Sequence, residues 1–77
     1  MAKKILQNIG GKENVETAEC CVTRLRLEIK DGSLVNEANI KKTGAKGIVR
    51  LSDTSIQIII GTDVRKVMKE FNYLIGQ

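Results

Sequence analysis

The sequence predicts an α+β two-layer sandwich: a four-stranded antiparallel sheet with three helices on one face, in the order α-β-β-α-β-β-α. Three observations predict it. Leu25, Leu27 and Ile29 alternate with Arg24, Arg26 and Glu28, the two-residue period of a half-buried strand. Val64, Val67, Met68, Phe71, Leu74 and Ile75 recur at helical spacing near the C-terminus. Seven glycines punctuate the chain at turns and element ends.

Each element has its own signal. Ile5, Leu6 and Ile9 share one face of a short helix over Lys3–Ile9, stopped by Gly10-Gly11. Val15–Cys20 reads as a short strand and Thr23–Lys30 as a longer one. They are close enough to form a hairpin with its tip near Cys21 and Val22. Asp31-Gly32-Ser33 is a turn. Asn36 caps a helix through Lys42, with Gly44 as the stop. Gly47–Leu51 and Ser55–Ile60 are two more strands, joined across Ser52-Asp53-Thr54. Asp63 or Thr62 caps the final helix. Three amphipathic helices each have one face to bury, so the opposite face of the sheet is left to solvent. Arg24 and Arg26 point out of that open face, because they alternate with the apolar set.

Length and composition narrow the function classes. The 77 residues make one small domain, 1–77. With no histidine, histidine catalysis and histidine metal ligation by this chain are excluded. Two cysteines allow at most one internal bridge, so the chain is no disulfide scaffold. The longest apolar run is strand-sized, far below the ~20 residues that span a membrane. The N-terminus has no long apolar segment behind it, so no secretory signal is expected. A net charge of +4 favours anionic partners without naming one. Phe71 and Tyr73 are the only aromatics, which disfavours single-strand binding by base stacking.

The stretch that can carry chemistry is Cys20-Cys21-Val22-Thr23-Arg24-Leu25-Arg26-Leu27. A thiol stands at a hairpin tip. Two arginines at i and i+2 follow on one strand face, about 6.5–7 Å apart. Guanidinium groups so close repel each other unless an anion lies between or near them. Their donor forks suit phosphate oxygens. Positive charge near a thiol favours the reactive thiolate. Backbone N–H groups at a tight turn add an anion-holding concavity. Together these parts describe a cysteine nucleophile that attacks phosphorus, with arginines covering the charged transition state. Plainer readings stand beside this one. A cysteine is commonly a small packed hydrophobe, outward arginines are commonly a solvated face, and adjacent cysteines can form a vicinal disulfide.

Cys21-Val22-Thr23-Arg24-Leu25-Arg26 resembles the C-x-T-R-L-R phosphorylation motif of enzyme IIB domains. These belong to the bacterial phosphoenolpyruvate-dependent sugar phosphotransferase system, glucose/N-acetylglucosamine/sucrose superfamily. Gly10-Gly11-Lys12-Glu13-Asn14-Val15 resembles the family's preceding G-G-x-x-N-I/V segment, and Asp31 its aspartate after the strand. Gly44-Ala45-Lys46-Gly47-Ile48-Val49 and Gln57, Ile59 and Gly61 resemble two later segments. The resemblance runs over roughly residues 3–75, with the motifs in order. It implies that Cys21, rather than Cys20, accepts a phosphoryl group from a IIA phosphohistidine and passes it to a sugar bound by the membrane component IIC. It implies that Arg24 and Arg26 assist transfer and meet the acidic rim of IIA, and that Val22 and Thr23 complete the phosphate-binding set. It also implies a monomeric domain at the inner, cytoplasmic face of the membrane, without insertion. No metal or organic cofactor and no nucleic acid is expected. Cys20 departs from the family pattern, and packing is its preferred reading.

One alternative belongs to another class. Gly44-Ala45-Lys46-Gly47 is a G-x-x-G with a basic residue inside, the pattern with which KH domains clamp a nucleic-acid backbone. That loop joins two helices, whereas Gly47–Leu51 reads as a strand. A module that docks an acidic protein without chemistry is a further reading.

Overall fold

The alternation in residues 24–29 becomes the central feature of the sheet. In the computed structural model, which describes residues 1–76, β1 (Val15–Cys20) and β2 (Arg24–Ile29) form one antiparallel hairpin. β3 (Gly47–Ser52) and β4 (Ser55–Ile59) form the other. The second strands of the two hairpins pair antiparallel, giving the order β1-β2-β4-β3. Helices α1 (Ala2–Gln7), α2 (Glu37–Lys42) and α3 (Val64–Ile75) cover one face. The predicted element order and two-layer architecture are both present.

Leu25, Leu27 and Ile29 of β2 and Ile56 and Ile58 of β4 meet Ile5, Ile40, Val64 and Phe71 from the three helices, all of them buried. Each such side chain contributes about 1.5–3 kcal/mol by leaving water. Arg24, Arg26 and Glu28 lie exposed on the other face, as the strand period requires. Central placement of β2 therefore holds the outward arginines on the stiffest part of the sheet. Among the described residues, no helix is long and apolar enough to cross a membrane.

Several boundaries shift for local reasons. The first helix stops at Gln7 instead of Ile9, because the Asn8 side chain donates to the Lys4 carbonyl at 2.8 Å and the chain turns. Ile9 is still buried, from the turn. Gly10 and Gly11 take φ of 99° and 80°, values that favour glycine. β2 is one residue shorter at each end than the predicted Thr23–Lys30. Asn36 caps α2 as predicted, its Oδ1 accepting the Asn39 N–H at 3.0 Å. The predicted side-chain cap of α3 is absent. Asp63 occupies the N-cap position with φ −85° and ψ 7°, outside the extended region from which a cap side chain reaches back, and its side chain makes no cap hydrogen bond.

Asn14 is the one buried polar residue among those described. Its Nδ2 donates to the carbonyls of Ile9 (2.7 Å) and Asp31 (2.9 Å), and its Oδ1 accepts the Asp31 N–H at 2.9 Å. The end of α1 is thereby tied to the exit of β2. The sequence marks this asparagine only through its motif, and its bracing role needs the fold.

Candidate functional site

The site is built by the way the β1–β2 hairpin closes. The last paired rung is Cys20 with Leu25. Beyond it the Cys21 N–H donates to the Arg24 carbonyl at 2.8 Å, leaving Cys21-Val22-Thr23 to make the bend. The Thr23 carbonyl then accepts two N–H groups, from Ile60 and Gly61, each at 2.9 Å. The tip is thus clasped to the end of β4.

Strand alternation separates the two thiols. Cys20 is half-buried opposite Leu25 and packs against the core, whereas Cys21 is exposed. Packing, the preferred reading of Cys20, matches this placement, and both cysteines are free thiols.

The arginines have different partners. Arg26 directs Nη1 to the Cys21 sulfur at 3.5 Å. Arg24 donates from Nη1 to Gln57 Oε1 at 2.9 Å. Gln57 stands opposite Arg26 in the β2–β4 register, so one amide on the neighbouring strand fixes the first guanidinium beside the second. Among the described residues, the one ion pair is Arg50–Glu37 at 3.3 Å, on the opposite part of β3. Among the described residues, neither Arg24 nor Arg26 forms an ion pair, although Glu19 stands opposite Arg26 in the β1–β2 register.

Val22 is 85% exposed at the apex. Among the described residues, the N–H groups of Val22 and Thr23 make no hydrogen bond. The tip therefore offers an accessible sulfur, a guanidinium in contact with it, a second guanidinium held alongside, and two free amide donors. Such a donor set suits the oxygens of a tetrahedral oxyanion attached to the sulfur. All five predicted residues, Cys21, Val22, Thr23, Arg24 and Arg26, are gathered at this one end of the sheet.

Sequence reasoning assigned no role to Gln57 or to the Ile60-Gly61 clasp. Both lie more than thirty residues along the chain from the tip. The signal available was Gln57-x-Ile59-x-Gly61 itself, whose outward positions could be placed only after β4 was aligned against β2. The Gly44–Gly47 loop connects α2 to β3 rather than two helices, and the Lys46 N–H is built into the sheet end through the Ile59 carbonyl at 2.7 Å. The KH-like clamp considered as an alternative is not formed.

Comparison with known proteins points the same way. A family model described as "phosphotransferase system, EIIB" matches residues 3–36. The chain is 46% identical over 69 residues to the N-acetylglucosamine-specific EIIB component of Streptomyces coelicolor, covering 90% of this chain and 88% of that protein. It is 50% identical over 66 residues to the N-acetylglucosamine-specific EIICB component of Bacillus subtilis, covering 86% of this chain but only 15% of that longer protein. One crystallised domain of a IIabc component from Clostridium difficile superposes with a TM-score of 0.81 at 29% identity, covering 97% of this chain and 78% of that one.

Proposed function

Because the chain belongs to the phosphotransferase system EIIB family, we propose that it is the phosphoryl carrier of a sugar phosphotransferase system, with Cys21 as the phosphorylated residue. The observation that carries this reading is the exposed Cys21 sulfur with Arg26 Nη1 at 3.5 Å. Residues 1–77 act as a single domain in it.

In the first half-reaction the Cys21 sulfur attacks the phosphorus of a phosphohistidine on IIA. The S–P bond forms as the N–P bond breaks, and the thiol proton passes to the released imidazole. In the second, a hydroxyl oxygen of a sugar bound by IIC attacks the same phosphorus. The O–P bond forms, the S–P bond breaks, and the hydroxyl proton restores the thiol. Both steps need an in-line approach and cover for charge spread over three oxygens. A thiol on a protruding tip enters a concave partner, which a buried thiol does not. The guanidinium groups travel with the phosphate and serve both steps. Arg26 is in contact with the sulfur and covers the transferring group, while Arg24, held by Gln57, presents a second donor fork. The amides of Val22 and Thr23 take the remaining oxygen. The bulk of Val22 at the apex gives the partner an apolar point of contact.

This work takes place at the cytoplasmic face of the membrane that holds IIC. Both curated relatives named above are N-acetylglucosamine components, which makes that amino sugar the first acceptor to test.

The test is incubation with phosphoenolpyruvate, the general phosphotransferase components and IIA, followed by intact-mass and fragment mass spectrometry. One phosphate is expected on Cys21 and none on Cys20, and iodoacetamide pretreatment abolishes it. Phosphate on Cys20, or a Cys21→Ser protein that still supports sugar uptake, would refute the assignment.

A further inference from the structure

The Gly44–Gly47 loop, left without a role once the clamp geometry is lost, carries an exposed cation to the thiol end of the sheet. Lys46 precedes Gly47, which pairs with Ile59, which in turn pairs with Arg24. Its backbone is fixed by the hydrogen bond to the Ile59 carbonyl. Its side chain turns back over the end of β4, with Nζ 3.1 Å from the position a Cβ on Gly61 would take. Gly61 is the residue whose N–H holds the Thr23 carbonyl. It has φ +105° and is buried, so the absence of a side chain there is what gives the ammonium its seat. Among the described residues, Lys46 has no acidic partner.

We propose that Lys46 is a third cation of the Cys21 site, a positioning residue that raises the local positive potential and draws anionic groups to the sulfur. The proposal rests on the phosphoryl-carrier reading for its biological meaning, though not for its test. Arg24 and Arg26 lie on the open face of β2, and Lys46 approaches the same tip from the β4–β3 end. Lys46 thus lies against Gly61, whose N–H is bonded to the Thr23 carbonyl of the bend. An incoming phosphoryl donor, carrying about two negative charges on its phosphate, feels all three before any contact forms. Lys46 acts through the field and touches no reacting atom, so it affects capture more than the transfer step.

The field can be read without phosphoryl transfer. In a Cys20→Ala background, Cys21 is alkylated in parallel with iodoacetate, an anion, and iodoacetamide, its neutral counterpart. The ratio of the two rates reports the potential at the sulfur and cancels changes in thiol reactivity. Lys46→Ala is expected to lower that ratio about two- to threefold at low ionic strength, the order of effect of one unit charge acting through water. The difference should vanish near 1 M salt, where screening acts within about 3 Å. Lys46→Arg should restore the ratio, and Lys30→Ala, at the far end of β2, should leave it unchanged. In transfer from phosphorylated IIA, Lys46→Ala should raise KM and leave kcat within twofold. An unchanged alkylation ratio in Lys46→Ala overturns the proposal whatever Cys21 does with phosphate. A lowered ratio in a protein that accepts no phosphate upholds the third cation and removes the carrier reading instead.

Discussion

Replacing Arg26 with lysine keeps the charge and removes the donor fork, which isolates what the guanidinium does beyond attraction. In the structure Arg26 reaches the Cys21 sulfur through Nη1 at 3.5 Å. Its second terminal nitrogen is then available to an oxygen on the same phosphorus. A lysine ammonium is a single point and serves one of those positions. Losing one preorganised donor to a developing charge costs about 2.7–4 kcal/mol, a factor of about 10²–10³ in rate. The loss should fall mainly on delivery to sugar, where no partner histidine shares the charge. The assay is single-turnover transfer from phosphorylated protein to N-acetylglucosamine in vesicles carrying IIC, with loading from IIA timed separately. Arg26→Lys should load at close to the wild-type rate and deliver about 10²–10³ slower. As an exposed residue its change should alter stability by less than about 0.5 kcal/mol, which urea unfolding checks. Delivery at the normal rate, in both Arg26→Lys and Arg24→Lys, would refute the role assigned to the forks.

Three other outcomes follow from the same geometry. Gln57→Leu removes the acceptor that holds Arg24 at 2.9 Å. Freeing that guanidinium should slow delivery by about 3- to 10-fold, the worth of one solvent-facing hydrogen bond, far less than Arg24→Ala in the same vesicle assay. Asn14→Ala deletes three hydrogen bonds made by this buried side chain and should cost about 3 kcal/mol. That lowers the thermal midpoint by more than about 10 °C in a domain of this size, while the alkylation rate of Cys21 stays at the wild-type value. Hydrogen bonds from the Ser33 side chain and backbone hold Asp31 below its ordinary carboxylate value of 3.8. A carboxyl depressed by folding adds stability above its unfolded value, and that stability is lost as pH falls through the lower native value. Asp31→Asn should therefore narrow the gap in urea midpoint between pH 6 and pH 3, and an unchanged gap would count against this contribution.

Particular residues show where sequence reasoning reaches and where it stops. Leu25, Leu27 and Ile29 announce both the strand and its buried side, because alternation depends on backbone geometry alone. The exposure of Arg24 and Arg26 follows from the same period. Asn36 announces a helix start because its side chain reaches a donor three residues on. Asp63 belongs to the same class of residue and fails to cap, because the turn that follows Gly61 sets its backbone outside the extended region. The Cys21 motif marks the hairpin tip as the candidate site by chemistry and spacing. It leaves open which side each thiol faces until Cys20 is seen opposite Leu25 against the core.

What the amino-acid order settles alone is whatever depends on neighbours a few residues apart: the element order, the burial faces, a hairpin tip near Cys21 and Val22, and the pair of arginines beside it. Tertiary structure decided which distant groups support that bend. Gln57 holds Arg24, Ile60 and Gly61 clasp Thr23, and Lys46 leans over Gly61 only because β4 aligns between β2 and β3 in one register. The physical reason is that backbone period and capping act over a single turn or strand. Register across a sheet is instead selected by the whole core, in which Leu27 must meet Ile56 and Leu25 must meet Ile58.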